Sequence, residues 1–263
     1  MGKRRRADGL CHICGTFGPL SFEHIPPRAA FNDRPVVKFA GKVLLEHGLD
    51  AGREHGTFAQ RGAGAHTLCA RCNNNTGAWY GHQFVDWCYQ GMEILLRAKG
   101  RPTLIYLNHL FPLAILKQVV TMFFSVNSDR FRLAQPYLVD FILSRDRKYL
   151  PPNIRIYAYY TLSPSTRSIG ISGIIDTNRG RARILSELSF PPFGYVLMFA
   201  PDPPDSRLID ITPFARYDYN EFAVMNLQLP VLETHLPLPG DYRTRDEIER
   251  DVRTNREADP SAY

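Results

Sequence analysis

Four of the five cysteines stand as two Cys-x-x-Cys pairs, Cys11/Cys14 and Cys69/Cys72. A tight turn carries thiolates at i and i+3 toward one point, and two such pairs make the sulfur tetrahedron that Zn²⁺ favours. In a cytosolic protein the spacing reads as a structural zinc site rather than as disulfides. Gly15 follows Cys14 directly, where a knuckle turn often needs positive φ. Cys88 lies beside Phe84, Val85 and Trp87 in an apolar helical stripe and reads as a core thiol.

Two further groups flank these pairs. Ser21-Phe22-Glu23-His24-Ile25-Pro26-Pro27 lies between them, and Asn73-Asn74-Asn75-Thr76-Gly77 follows the second. A histidine with pKa near ~6.5 can take a proton from water at neutral pH. A carboxylate and an amide carbonyl are oxygen donors suited to a hard cation such as Mg²⁺. Such an ion neutralises phosphate charge and stabilises a leaving oxygen, so these residue types suit phosphodiester hydrolysis. Plainer roles are open to both groups. Glu-His-x-Pro can be a strand exit with His24 hydrogen-bonded in the core, and an asparagine run can cap a helix.

The full order is Cys-x-x-Cys, Glu-His-Ile-Pro, then Cys-x-x-Cys-Asn, spread over about residues 10–80. It resembles the HNH (ββα-metal) endonuclease superfamily in its four-cysteine branch, which includes phage Holliday-junction resolvases of the endonuclease VII type. The resemblance implies structural Zn²⁺ on Cys11, Cys14, Cys69 and Cys72. It implies a catalytic Mg²⁺ or Mn²⁺ on Glu23 and Asn73, with His24 as general base. Glu23 stands where the family more often has Asp, and Asn73 where its name has the final His. For the middle Asn, which steadies the loop carrying the base, Asn32 and His66 are the candidates. Neighbours on a regular strand point to opposite faces. The resemblance implies an irregular hairpin that lets Glu23 and His24 both reach the phosphate. The implied activity is metal-dependent cleavage of DNA, with RNA not excluded, in mobile-element biology or phage defence. The alternatives are a non-catalytic zinc-dependent nucleic-acid-binding module and an adaptor whose zinc only folds the N-terminus.

The charge distribution points to the same region. The first 110 residues carry the whole net charge of +6, with seven of the eight histidines and fourteen of the nineteen glycines. Residues 1–10 read as a basic arm. Arg4, Arg5, Arg6, Arg28 and Arg71 are the candidate phosphate contacts, which would give affinity and salt dependence rather than sequence choice.

The elements that must position these groups follow from patterning. Leu20–Ile25 reads as a short strand stopped by two prolines, and Val36–Leu45 as a second extended piece. Residues 46–66 read as a long loop. His66–Leu68 is extended and leads into a helix from about Cys69 to Lys99, with a break expected at Gly77, Gly81 or Gly91. Leu113–Val126 and Tyr137–Ser144 are helices, each opened by a proline. Ile154–Tyr160, Ser168–Asp176, Arg183–Ser189, Tyr195–Ala200 and Glu221–Leu229 read as five strands of an antiparallel sheet. The fold class is α+β, a small zinc-stabilised ββα-metal module followed by a mixed domain of helices and an antiparallel sheet. The expected divisions are 1–10, 11–100, 101–240 and a charged tail at 241–263, either a solvated helix or disordered.

At 44% hydrophobic the chain has ample core material, which excludes a mainly disordered protein. No run approaches the ~20 apolar residues of a membrane span, so no membrane association is expected. No apolar segment follows the basic start, so the expectation is a cytoplasmic protein without a secretory signal. The second domain has no metal motif, phosphate loop or nucleophile elbow, and its expected jobs are homodimerisation, binding a protein partner, or sensing.

Overall fold

A computed structural model describes residues 7–40, 43, 55–100, 106–163, 166–176, 181–200, 202–235 and 238–258. Arg4, Arg5 and Arg6 lie outside the described residues, as does most of 41–54.

Three antiparallel strands form the N-terminal sheet in the order β1-β2-β5: β1 (Ala7–Leu10), β2 (Phe17–His24) and β5 (Gly64–Cys69). The β1–β2 turn carries Cys11 and Cys14, and Gly15 there has φ 72°. The expected strand at Leu20–Ile25 is therefore longer at its start and ends one residue earlier. A register shift between Ser21 and Phe22 bends β2 just before Glu23. β3 (Val36–Lys38) and β4 (Thr57–Ala59) pair as a separate ribbon.

Cys69 leads into α1 (Ala70–Thr76), a π turn at Gly77–Gly81, and α2 (His82–Arg97). The glycines do not break this helix. Gly77 and Gly81 keep right-handed helical dihedrals, so the chain stays hydrogen-bonded while its winding widens for one turn. The buried Tyr80 pins that turn by donating its hydroxyl to the Ile142 carbonyl at 2.8 Å.

Beyond β6 (Tyr106–Leu110) comes α3 (Pro112–Val126), with Pro112 in its first turn. Every α3 residue from Pro112 to Ser125 is buried, including Lys117, Gln118, Thr121 and Ser125. α4 (Phe131–Ala134) and α5 (Pro136–Leu143) follow. The Lys117 ammonium donates to the carbonyls of Phe141, Ser144 and Arg147, closing the C-terminus of α5.

The main sheet is antiparallel, in the order β11-β7-β10-β9-β8. Its strands are β7 (Arg155–Tyr160), β8 (Arg167–Asp176), β9 (Arg181–Phe190), β10 (Phe193–Met198) and β11 (Ile209–Asp210). β12 (Ala223–Leu227) forms where a fifth strand was expected, but it pairs with β6. β10 is buried at every position, as a central strand requires, whereas β12 alternates half-buried with exposed and suits a peripheral ribbon. The short β11 occupies the sheet edge instead. The charged tail forms α6 (Arg245–Ala258), opened by a Thr244/Glu247 capping box.

The N-terminal stretch and the mixed α/β stretch share one core. Trp87 of α2 lies 4.3 Å, centroid to centroid, from Phe193 of β10. α3 packs against β5 and against β8 and β9. Cys11, Leu68, Trp87, Phe123, Tyr195 and Leu229 belong to a single buried cluster. Among the described residues no helix is long and apolar enough to cross a membrane.

Candidate metal centre and adjoining cleft

The β1–β2 turn and the β5–α1 junction bring Cys11, Cys14, Cys69 and Cys72 together, with all four sulfurs within 4.8 Å of one another. The Cys14 and Cys69 sulfurs are 3.8 Å apart. Zn–S bonds of about 2.3 Å in a tetrahedron place sulfurs at about that separation. The donor set is thus positioned to hold a metal ion and compatible with structural zinc. Within the cluster, a hydrogen bond from the Cys72 thiol pulls Cys11 down to about 4, while Cys72 itself is raised. The protein alone thus favours the thiolate at Cys11 and opposes it at Cys69 and Cys72. Cys88 is apart from the cluster, fully buried in the core, and burial pushes its thiol up. The first knuckle is also tied to α3, through His12 Nδ1 and the Phe124 carbonyl at 3.0 Å.

Next to this centre, β2, α1 and α3 enclose an open cleft of about 420 Å³. Glu23, His24, Arg28 and Asn73 all line it. His24 is half-buried, and its Nε2 meets the Arg61 carbonyl at 2.9 Å. A carbonyl only accepts, so the ring proton of the neutral imidazole sits on Nε2 and Nδ1 keeps its lone pair. Burial lowers the pKa of His24, and the positive charges of Arg28 and Arg61 lower it further, against the Arg61 hydrogen bond. The neutral, proton-accepting form is thereby favoured.

Of the two candidates for steadying this loop, Asn32 is placed to do so. Its Nδ2 donates to the Pro26 and Ala63 carbonyls, both at 2.7 Å, and its Oδ1 accepts from the Ala63 amide at 2.7 Å. It thus clips the chain after His24 to the 61–64 segment that holds the imidazole. Gly62, at φ 94°, passes so close that a Cβ would lie 2.3 Å from the Asn32 carbonyl oxygen. His66 is exposed and only touches the Phe22 ring edge.

Glu23 follows the β2 bulge between Ser21 and Phe22, and it lines the same cleft as its neighbour His24. Its side chain forms part of the cleft floor at 6% exposure. The carboxyl accepts from Thr67 Oγ1 at 3.2 Å and from the Ser125 hydroxyl. Burial raises its pKa to about 7 despite those two donors. Asn73 Nδ2 donates to Ser21 Oγ at 3.0 Å and more weakly to the Phe22 carbonyl, so the amide oxygen is the end left for a ligand.

Arg71 is exposed on α1 and does not line the cleft. Among the described residues, no acidic side chain pairs with Arg28, Arg61 or Arg71, so the rim is positive without local compensation. Sequence reasoning missed Ser125, which is 102 positions from its partner Glu23, and Gln118, which also lines the cleft. Both sit on a helix whose only obvious signal is apolarity. No family model matches the chain, and neither a curated protein nor a solved structure matches it.

Proposed function

We propose that the protein is an HNH-type endonuclease that hydrolyses phosphodiester bonds in DNA. The observation that carries this reading is His24: a half-buried imidazole anchored through Nε2 by the Arg61 carbonyl, in the same cleft as Glu23, Asn73 and Arg28. In this reading Zn²⁺ on the four cysteines is structural and holds β2 against α1. Glu23 and Asn73 present oxygen atoms to a Mg²⁺ or Mn²⁺ ion, the donor type a hard cation takes. When bound, that ion neutralises phosphate charge and stabilises the leaving oxygen. His24 Nδ1 takes the proton of the attacking water, and the Arg61 carbonyl keeps the ring in the accepting tautomer. Arg28 at the cleft, and Arg61 and Arg71 outside it, draw in the polyanion in a salt-dependent manner. DNA is the substrate on which the reading is tested, and mobile-element or defence roles come only from the resemblance.

A second reading, a zinc-dependent nucleic-acid-binding module without catalysis, is favoured by one observation. The Glu23 carboxyl already has two hydroxyl donors, and burial raises its pKa to about 7. Plasmid nicking with Mg²⁺ or Mn²⁺ decides between them. The wild type is expected to cut, and His24→Ala to cut at least about a hundredfold more slowly. An inert wild type that binds DNA would establish the second reading. Equal cutting by His24→Ala would remove His24 from the reaction.

A further inference from the structure

Gln118 lies on α3, beyond the stretch that carries the cysteine pairs and the Glu-His pair. It is only 4% exposed, it lines the cleft with Glu23 and Asn73, and its Oε1 is buried without a hydrogen-bond partner. Gln118 and Ser125 are seven residues apart, two turns of helix, and so share one face of α3. That face supplies the Ser125 hydroxyl to Glu23 and the Gln118 amide to the cleft.

Other buried side-chain atoms among the described residues also lack a partner, but Gln118 Oε1 is the one that belongs to a cleft-lining residue, where a partner can arrive from outside. The chemistry of its neighbours identifies that partner. Three residues that line the cleft offer acceptor oxygens: the Glu23 carboxyl, the Asn73 amide, whose Nδ2 is already used, and the Gln118 amide. A phosphodiester, ionised and without a P–OH, brings only more acceptors. A cation satisfies all of these oxygens together.

We infer that Gln118 is a third protein ligand, through its amide oxygen, for a divalent cation at the cleft floor beside Glu23 and Asn73. The inference rests on the endonuclease reading and deepens it. The cation site is then built jointly by the N-terminal module and by α3, so the module is incomplete without the rest of the chain.

Mn²⁺ titration of the zinc-loaded full chain, followed by the electron paramagnetic resonance of free Mn²⁺, tests it. Wild type is expected to bind one Mn²⁺, and Gln118→Met to bind it at least about tenfold more weakly with unchanged zinc content. Gln118→Glu, which keeps the shape and adds charge, is expected to bind at least as tightly as wild type. Wild-type affinity in Gln118→Met overturns the inference and leaves the endonuclease reading to the plasmid assay. If Gln118→Met fails to fold, a tenfold loss in a folded Gln118→Glu overturns it in its place. A wild type that cuts DNA but binds no Mn²⁺ overturns it too. A wild type that neither binds Mn²⁺ nor cuts removes both.

Discussion

Two buried glutamates show how differently the two regions of this molecule handle charge. Glu187 of β9 is fully enclosed and is met from several sides by the protein itself. Arg167 reaches both carboxylate oxygens at 3.0 and 3.1 Å, the Tyr159 hydroxyl donates at 2.7 Å, and the Gly240 amide at 2.9 Å. Glu23 is about as buried but has two hydroxyls and no cation among its hydrogen-bond partners. Desolvation consequently wins there, and its carboxyl is raised to about 7. The contrast extends outward. On the C-terminal side, Arg147, Lys148, Arg207 and Arg243 all have acidic partners. On the N-terminal side, among the described residues, no salt bridge is made by Glu23 or by Arg28, Arg61 and Arg71. One region completes its own electrostatics, and the other leaves charged and ionisable groups to which the proposed function assigns ions and a polyanion.

The largest effect that could break this comparison comes from removing metal. Chelation, or Cys72→Ser, removes the zinc that the proposed function places on the four sulfurs and that would hold β1–β2 against α1. Structural zinc sites contribute roughly 10–16 kcal/mol of apparent binding energy in small domains, more than the margin of most folds. Hydrogen exchange is expected to lose protection in β1, β2, β5 and α1 while β7, β9 and β10 keep theirs. Unchanged protection in β2 would mean that the cysteine cluster is not what holds the N-terminal sheet.

Next in size is Arg167→Met. It strands Glu187 in a dry interior, and truncating one member of a buried pair costs about 3–5 kcal/mol. Tyr242 packs under the same guanidinium, with Arg167 5.5 Å from its ring, and the Asp241 carbonyl accepts from it, so the 240–242 segment loosens together with it. Urea denaturation at neutral pH measures the loss. A cost below about 1 kcal/mol would mean that Glu187 is not sustained by its arginine, and the contrast with Glu23 would fall.

What the sequence disclosed follows the same division. The cysteine spacing and the Glu-His and Asn73 positions were legible because their chemistry is written locally, and the structure brings Glu23, His24 and Asn73 to one cleft. The α3 and main-sheet segments were legible from apolar runs and proline starts. The α3 contribution to the cleft was not, because Ser125, which donates to Glu23, and Gln118, which lines the cleft, reach it across the fold from a helix buried on all sides. Even there a signal existed: four polar residues, Lys117, Gln118, Thr121 and Ser125, inside an otherwise apolar helix each need a buried partner. The pairing of β12 with β6 was hidden for a different reason. Strand content shows in alternation, but partner choice depends on which strands are buried on both faces, and only the assembled sheet decides that. The glycine run misled because glycine weakens a helix without forbidding it, and Tyr80 anchors the π turn from outside.

The smallest effect is also the most diagnostic, because it isolates Glu23 from every other titrating group. The folded state holds this carboxyl at about 7, above its ordinary 4.5, so it binds more protons at intermediate pH than the unfolded chain. Its stabilising contribution is full below the ordinary carboxylate range and is lost as pH rises through about 7. Between pH 5 and 8 the wild type should lose roughly 2–3 kcal/mol relative to Glu23→Gln, which keeps the shape and cannot ionise. The readout is the difference between the two urea-derived stabilities at each pH, with zinc present and no other divalent ion. Adding Mn²⁺ at pH 8 should restore the wild type and not the variant, because a cation supplies what Arg167 supplies to Glu187. Parallel pH profiles without Mn²⁺ would show that Glu23 is already ionised and compensated. The two glutamates would then be alike, and the cleft floor would have no charge left for a metal to answer.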